Sequence, residues 1–182
     1  MWSPTVTTGN PSVLAAFSVT RNPGKKATQP CPCGFRGDGT DRCQCTPVKL
    51  ENYRARISGP LLDRFDLHIE VPRVPFEDIA EPVTGSESAE LRDEVAAARA
   101  RQIERAGKLN ARLDTRALWR VVKLGSAERT LLKRATERWL LSARSALRVL
   151  KVARTLADLD GRNAVVADDV AEALQLRCRD RP

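Results

Sequence analysis

The second half of the chain is patterned for helices, and the first half is not. From residue 86 onward, apolar residues recur three and four positions apart. Ser86 or Ser88 is placed to cap a helix running to about Ala106 through an alanine-rich, charged stretch of strong helix formers. Gly107–Asp114 reads as a connector and Arg116–Val122 as a short second helix. Ser126 is placed to cap a third over Ala127–Leu140, with Leu131, Leu132, Ala135 and Trp139 on its apolar side. Ser142 is placed to cap a fourth over Ala143–Asp158, where Ala146, Leu147, Leu150, Ala153 and Ala157 are spaced for burial. Asp160-Gly161 ends it. After an extended piece at Ala164–Val166, a last helix covers about Asp168–Gln175.

The front half mixes signals. Val13–Val19 is a short apolar run suited to a buried strand, and Arg21-Asn-Pro-Gly-Lys-Lys follows it as a turn. Val48–Ile57 carries Leu50, Tyr53, Arg54 and Ile57 at helical spacing, and Leu61–Phe65 can add another helical turn. Asp66–Val71 alternates, with Leu67, Ile69 and Val71 on one face and His68 and Glu70 on the other, the period of a half-buried strand. His68 is expected to be exposed there. Pro82–Ser88 reads as a linker.

Composition adds bounds. A chain of 182 residues allows one domain or two small ones. At 42% hydrophobic and 30% charged residues, it is globular in character. No apolar run approaches the roughly 20 residues that span a bilayer. The first residues lack the basic start and apolar core of a secretory signal. A cytoplasmic location without membrane partners is the expectation. Aromatic residues are only 4%, which weakens any function that stacks bases on rings. The net charge of +8 is uneven: residues 61–90 hold two bases and eight acids, whereas 91–150 hold fifteen bases and six acids. Such a basic segment suits nucleic acid, acidic partners or nucleotide phosphates, and an arginine-rich solvated helical surface gives the same count.

Four of the five cysteines fall within fifteen residues, Cys31-Pro-Cys33 and Cys43-Gln-Cys45, joined by a glycine-rich loop. Two such pairs can give four thiolates to a structural, tetrahedral zinc. Reduced free thiols and disulfides are the other states open to them, and a reducing compartment disfavours the last. All four ligands would be sulfur, so no open catalytic position is implied. Cys178 stands alone in a charged tail and receives no role. Gly24-Lys25 is not a phosphate-binding loop: Val19 stands where the first glycine belongs, and Lys26 where Ser or Thr belongs. This chain alone is not expected to hydrolyse ATP.

Three stretches carry a family resemblance: Ile57–Val74 (ISGPLLDRFDLHIEVPRV), the Cys31-Pro-Cys-Gly insertion with its following Cys43-Gln-Cys45, and Leu141–Leu159 (LSARSALRVLKVARTLADL). They resemble the magnesium-chelatase-like AAA+ ATPases of the YifB/ComM group, over about residues 31–178. The resemblance implies an α/β remnant of an AAA+ core, a partial parallel sheet with a cysteine-rich hairpin, followed by an all-α helical lid. The corresponding divisions are an atypical segment at 1–30, the end of the core at 31–82 and the lid at 83–182. It implies self-type AAA+ subunits in a ring as partners, ATP with magnesium as cofactor only in a complete ring, and DNA as a further partner. In this family the Arg of LLDRFD is an arginine finger reaching the neighbouring subunit's ATP, here Arg64. A planar, permanently charged guanidinium suits the charge on a transferring phosphoryl group. Read without the resemblance, Arg64 is an ion-pair partner of Asp63 or Asp66 at a helix end. Arg144, in LSARSAL, is by resemblance the sensor-2 residue that contacts the γ-phosphate of its own subunit. Arg148 and Arg154 are read as lid salt bridges or surface. Residues 1–30 match the family poorly, Gln29-Pro30 stands where its sensor-1 Asn belongs, and its P-loop core is missing. The expectation is a C-terminal fragment, with a non-enzymatic zinc-hairpin nucleic-acid module as the rival reading.

Overall fold

A computed structural model describes residues 18–19, 26–27, 29–56, 64–69, 71, 74, 76–80 and 87–178. The chain divides into two compact units, one of Met1–Leu62 and Glu70–Arg73 with Pro182, the other of Asp63–Ile69 and Val74–Arg181.

In the first unit, β1 (Ser18–Val19) pairs antiparallel with β2 (Lys26–Ala27), Ser18 opposite Ala27. The rest of the expected Val13–Val19 strand and most of its turn lie outside the described residues. The cysteine segment follows, then α1 (Pro47–Arg54). Pro47 opens α1 where its missing N–H costs nothing, and the Thr46 hydroxyl accepts from the Lys49 N–H. Leu50 is buried and Tyr53 half-buried.

The second unit is helical: α2 (Phe76–Ala80), α3 (Glu87–Ala106), a 3₁₀ turn at Asn110–Arg112, α4 (Thr115–Val121), α5 (Ser126–Trp139), α6 (Ala143–Leu159) and α7 (Ala167–Cys178). Helix α6 is central and packs on α3, α4 and α7, while α5 packs on α7. Its stripe of Val149, Leu150, Ala153 and Ala157 is fully buried against Leu118, Val170 and Ala173. Small residues on that stripe let the neighbouring backbones approach closely. The Ser142 hydroxyl caps α6 as expected, accepting from the Ser145 N–H at 3.1 Å. Asp114 caps α4 through the Ala117 N–H at 2.8 Å. The expected cap of α5 shifts by one: Gly125 holds the cap position without a side-chain bond, and Ser126 is the first helical residue.

The expected partial parallel sheet is overturned. Among the described residues the only sheet is the two-residue antiparallel pair β1–β2. Leu67–Ile69 belongs to no ladder. Alternation makes a strand only where a neighbour pairs with its backbone, and here the helical unit claims those groups. The His68 N–H donates to the Leu176 carbonyl at 2.7 Å. Leu67 and Ile69 stay exposed, and His68, expected outside, is half-buried with its ring edge-on to Phe65 at 6.3 Å.

Leu140 ends α5 in the left-handed region, φ 47°, ψ 45°, with its side chain 84% exposed. A β-carbon in this conformation costs roughly 1–2 kcal/mol, partly offset by the entropy a glycine would lose on folding. No packing is lost on truncation. Leu140→Gly is therefore expected to stabilise the helical unit by about 1 kcal/mol, raising its melting temperature by several degrees. An unchanged melting curve would refute the strain.

Candidate functional site

The cysteine segment forms a closed knot within the first unit. The Gly34 N–H donates to the Cys31 carbonyl at 3.1 Å, and Gly34 turns the chain at φ 83°, which a side chain would strain. The Asp38 carboxylate accepts from the Thr40 hydroxyl at 2.6 Å, the Thr40 N–H at 2.9 Å and Arg42 Nη2 at 2.7 Å. The Thr40 hydroxyl is the main reason its carboxyl falls to about 2. The Arg42 guanidinium lies 4.4 Å over the Phe35 ring.

This stapled loop converges Cys31, Cys33, Cys43 and Cys45, whose sulfurs all lie within 4.8 Å of one another. Cys31 Sγ is 3.2 Å from Cys33 Sγ and 3.7 Å from Cys43 Sγ, and Cys33 to Cys43 is 3.7 Å. No disulfide joins them. A tetrahedron of sulfurs about 2.3 Å from a zinc has edges of about 3.8 Å, so the donor set fits that ion. Burial opposes ionisation of Cys31, but hydrogen bonds from the Cys33 thiol and the Arg36 and Cys33 backbone outweigh it and bring the thiol to about 6. The Cys45 thiol is pushed up to about 11: a backbone bond from Cys33 lowers it, and the Cys33 side chain, burial and Cys31 together raise it more.

In the second unit, a buried arginine that the sequence reading did not single out ties the two predicted phosphate-facing arginines together. Arg177 donates through Nη1 to the Phe65 carbonyl and through Nη2 to Ser145 Oγ at 3.1 Å. One guanidinium thus holds the residue after Arg64 and the residue after Arg144. Arg148, one turn along α6 from Arg144, pairs with Asp66. Arg64 and Arg144 are themselves exposed, and among the described residues neither forms a hydrogen bond or ion pair. Arg64 makes no ion pair with Asp66 here; that carboxylate pairs with Arg148. Asp63 lies outside the described residues.

Further along α6, Arg154 and Asp158 are both fully buried. Asp158 accepts from Arg105 Nη1 at 2.6 Å, Arg105 Nη2 at 2.8 Å, Arg154 Nη2 at 2.9 Å and Asn110 Nδ2 at 2.8 Å. Burial alone would raise its carboxyl, but Arg105 and Asn110 lead a set of partners that hold it below the usual range. Arg154 is accordingly a salt bridge and not surface. Its Nη1 also reaches the Asn163 carbonyl at 2.7 Å, closing the loop after α6.

Residues 85–177 match the family model described as magnesium chelatase, subunit ChlI C-terminal, and residues 25–79 match that of magnesium chelatase, subunit ChlI. The chain belongs to the magnesium-chelatase ChlI-type family. It is 40% identical over 152 residues to competence protein ComM of Haemophilus influenzae, covering 83% of this chain and 30% of that protein. It is 39% identical over 156 residues to the uncharacterized protein YifB of Escherichia coli, covering 85% of this chain and 30% of YifB. An uncharacterized protein of Mycobacterium tuberculosis is 36% identical over 155 residues, 83% of this chain and 30% of that one. The chain thus spans about a third of the length of these relatives. Within this magnesium-chelatase-like chain, Arg177 had a sequence signal: it follows Val170, Ala173 and Leu174 at helical spacing, a charge at a core position. Arg154 and Asp158 carry the same signal on α6. No helix among the described residues is long and apolar enough to cross a membrane.

Proposed function

We propose that this chain supplies an arginine finger and a sensor-2 lid to ATP hydrolysis in a ring of like AAA+ subunits. The observation that carries the reading is the Arg177 clamp, which fixes the backbone beside Arg64 to the start of α6 beside Arg144 while leaving both guanidiniums uncommitted. Arg64 would reach the nucleotide of the adjoining subunit, and Arg144 the γ-phosphate. Each is a permanent cation aimed at charge that grows as the phosphoryl group leaves. ATP and its magnesium would be held by a subunit with a phosphate loop. Arg148 and Arg177 act as positioning residues. Sensor 2 sits in the first turn of α6, where free backbone N–H groups also favour an anion.

The test mixes this chain with a phosphate-loop-bearing ring subunit whose own finger arginine is replaced by alanine. Restored ATP turnover is expected. A mixed assembly that forms yet stays inactive would sink the assignment.

The cysteine cluster is read as a structural zinc site, supported by the sulfur spacings. Cys31, Cys33, Cys43 and Cys45 would hold the ion as thiolates, and it would cross-link the two ends of their loop. Protein purified without chelator is expected to carry about one zinc per chain by elemental analysis. Less than ~0.2 zinc in folded protein would refute it. Duplex DNA is proposed as a further partner on the charge of residues 91–150.

A further inference from the structure

Eight bases and two acids lie between residues 99 and 123, and the fold gathers five of these bases into one surface. Two open clefts of about 880 and 860 Å³ adjoin there and share Lys108. Arg99 and Arg112 line the first, beside the end of α3. Arg120 and Lys123 line the second, between the ends of α3 and α4. All five cations are exposed. Glu104 is the one acid in either lining. Asp114 offsets Lys108 only weakly, at 3.8 Å between two exposed groups. Arg105 also lines the second cleft, but Asp158 holds both its terminal nitrogens. Among the described residues Arg99, Arg112, Arg120 and Lys123 have no acidic partner within ion-pair distance.

We propose that this double cleft is a binding track for the sugar–phosphate backbone of duplex DNA. The inference rests on the DNA partner proposed above and adds the surface that meets it. Cations spread over two adjoining clefts match a repeating anion better than a single phosphate. The lining holds no aromatic residue. It therefore offers no platform for stacking unpaired bases. It also lacks the aromatic anchor on which protein interfaces usually depend. Contacts limited to phosphates carry no sequence information, so binding is independent of sequence. The track shares no residue with the Arg64–Arg144 surface.

The experiment is a titration of labelled duplex DNA with the full chain, without nucleotide, at several salt concentrations. Wild-type affinity should fall steeply with salt. The variant Lys108→Ala, Arg120→Ala, Lys123→Ala should bind at least about tenfold more weakly, and its log–log salt slope should be shallower by about three. None of the three substitutions touches the buried network, and circular dichroism checks that the fold persists. The control Lys133→Ala, Arg134→Ala, Arg138→Ala removes the same charge from exposed positions on α5 and should keep most of the affinity. Equal losses in the two variants would mean net charge, not the track, and would overturn the inference alone. Absence of any salt-sensitive binding by the wild type would overturn the DNA partner with it. Tighter binding of a single strand, or displacement of duplex by polyglutamate at lower concentration than by unlabelled DNA, would overturn the assignment of the occupant.

Discussion

In a ring whose other finger arginines are disabled, Arg64→Ala is expected to lower the ATP turnover proposed for the mixed assembly by about 10³–10⁵, the range measured for arginine fingers. The side chain is exposed and uncommitted among the described residues, so truncation removes a charge from the neighbouring site without unfolding its own unit. Arg64→Lys should rescue little, because an ammonium cannot span two phosphoryl oxygens as a planar fork does. Nucleotide affinity should change far less than turnover, since the interaction grows in the transition state. A steady-state assay of the mixed ring separates the two. Turnover within a factor of about three of wild type would remove Arg64 from the mechanism.

Asp158→Ala has the largest expected effect on stability. It strands the buried Arg154 guanidinium and the half-buried Arg105, and leaves the Asn110 amide short of an acceptor. Removing one partner of a buried ion pair typically costs about 3–5 kcal/mol. In a helical unit of this size that is a drop in melting temperature of about 15 °C or more. Since the folded carboxyl is held below its unfolded value, its contribution is present above the unfolded value, near pH 4, and fades as pH falls through the folded one. Wild type should therefore lose stability in acid below about pH 4 more steeply than Asp158→Asn does. A loss under about 1 kcal/mol in Asp158→Ala would show that the charges re-pair or hydrate locally.

The helices of the second unit were legible because their apolar residues recur at helical spacing, and one of them, α6, is capped by a side chain at the expected place. Ser142 and Ala143–Leu159 are the clearest case, with the boundary displaced by one residue. The strand at Asp66–Val71 was misread for a physical reason. Its alternation records which side chains favour burial, whereas a ladder requires a second strand, and the Leu176 carbonyl of a helix took the His68 N–H instead.

The site divides along the same line. Cys31, Cys33, Cys43 and Cys45 were identifiable from spacing because neighbours in sequence are neighbours in space, and the loop between them needs only local bonds such as Asp38 to Thr40. Arg64 and Arg144 were found through contiguous motifs. That the residues beside them meet on Arg177, more than thirty positions from either, is a tertiary fact. So are the four bonds on Asp158 and the gathering of Arg99, Lys108, Arg112, Arg120 and Lys123 along two clefts. The sequence by itself determined the helical periodicity, the family and the thiol cluster, since each is written in short-range spacing. Only the tertiary structure decided which charges are buried and paired and which remain free for a ligand, because that choice depends on groups brought together from distant parts of the chain.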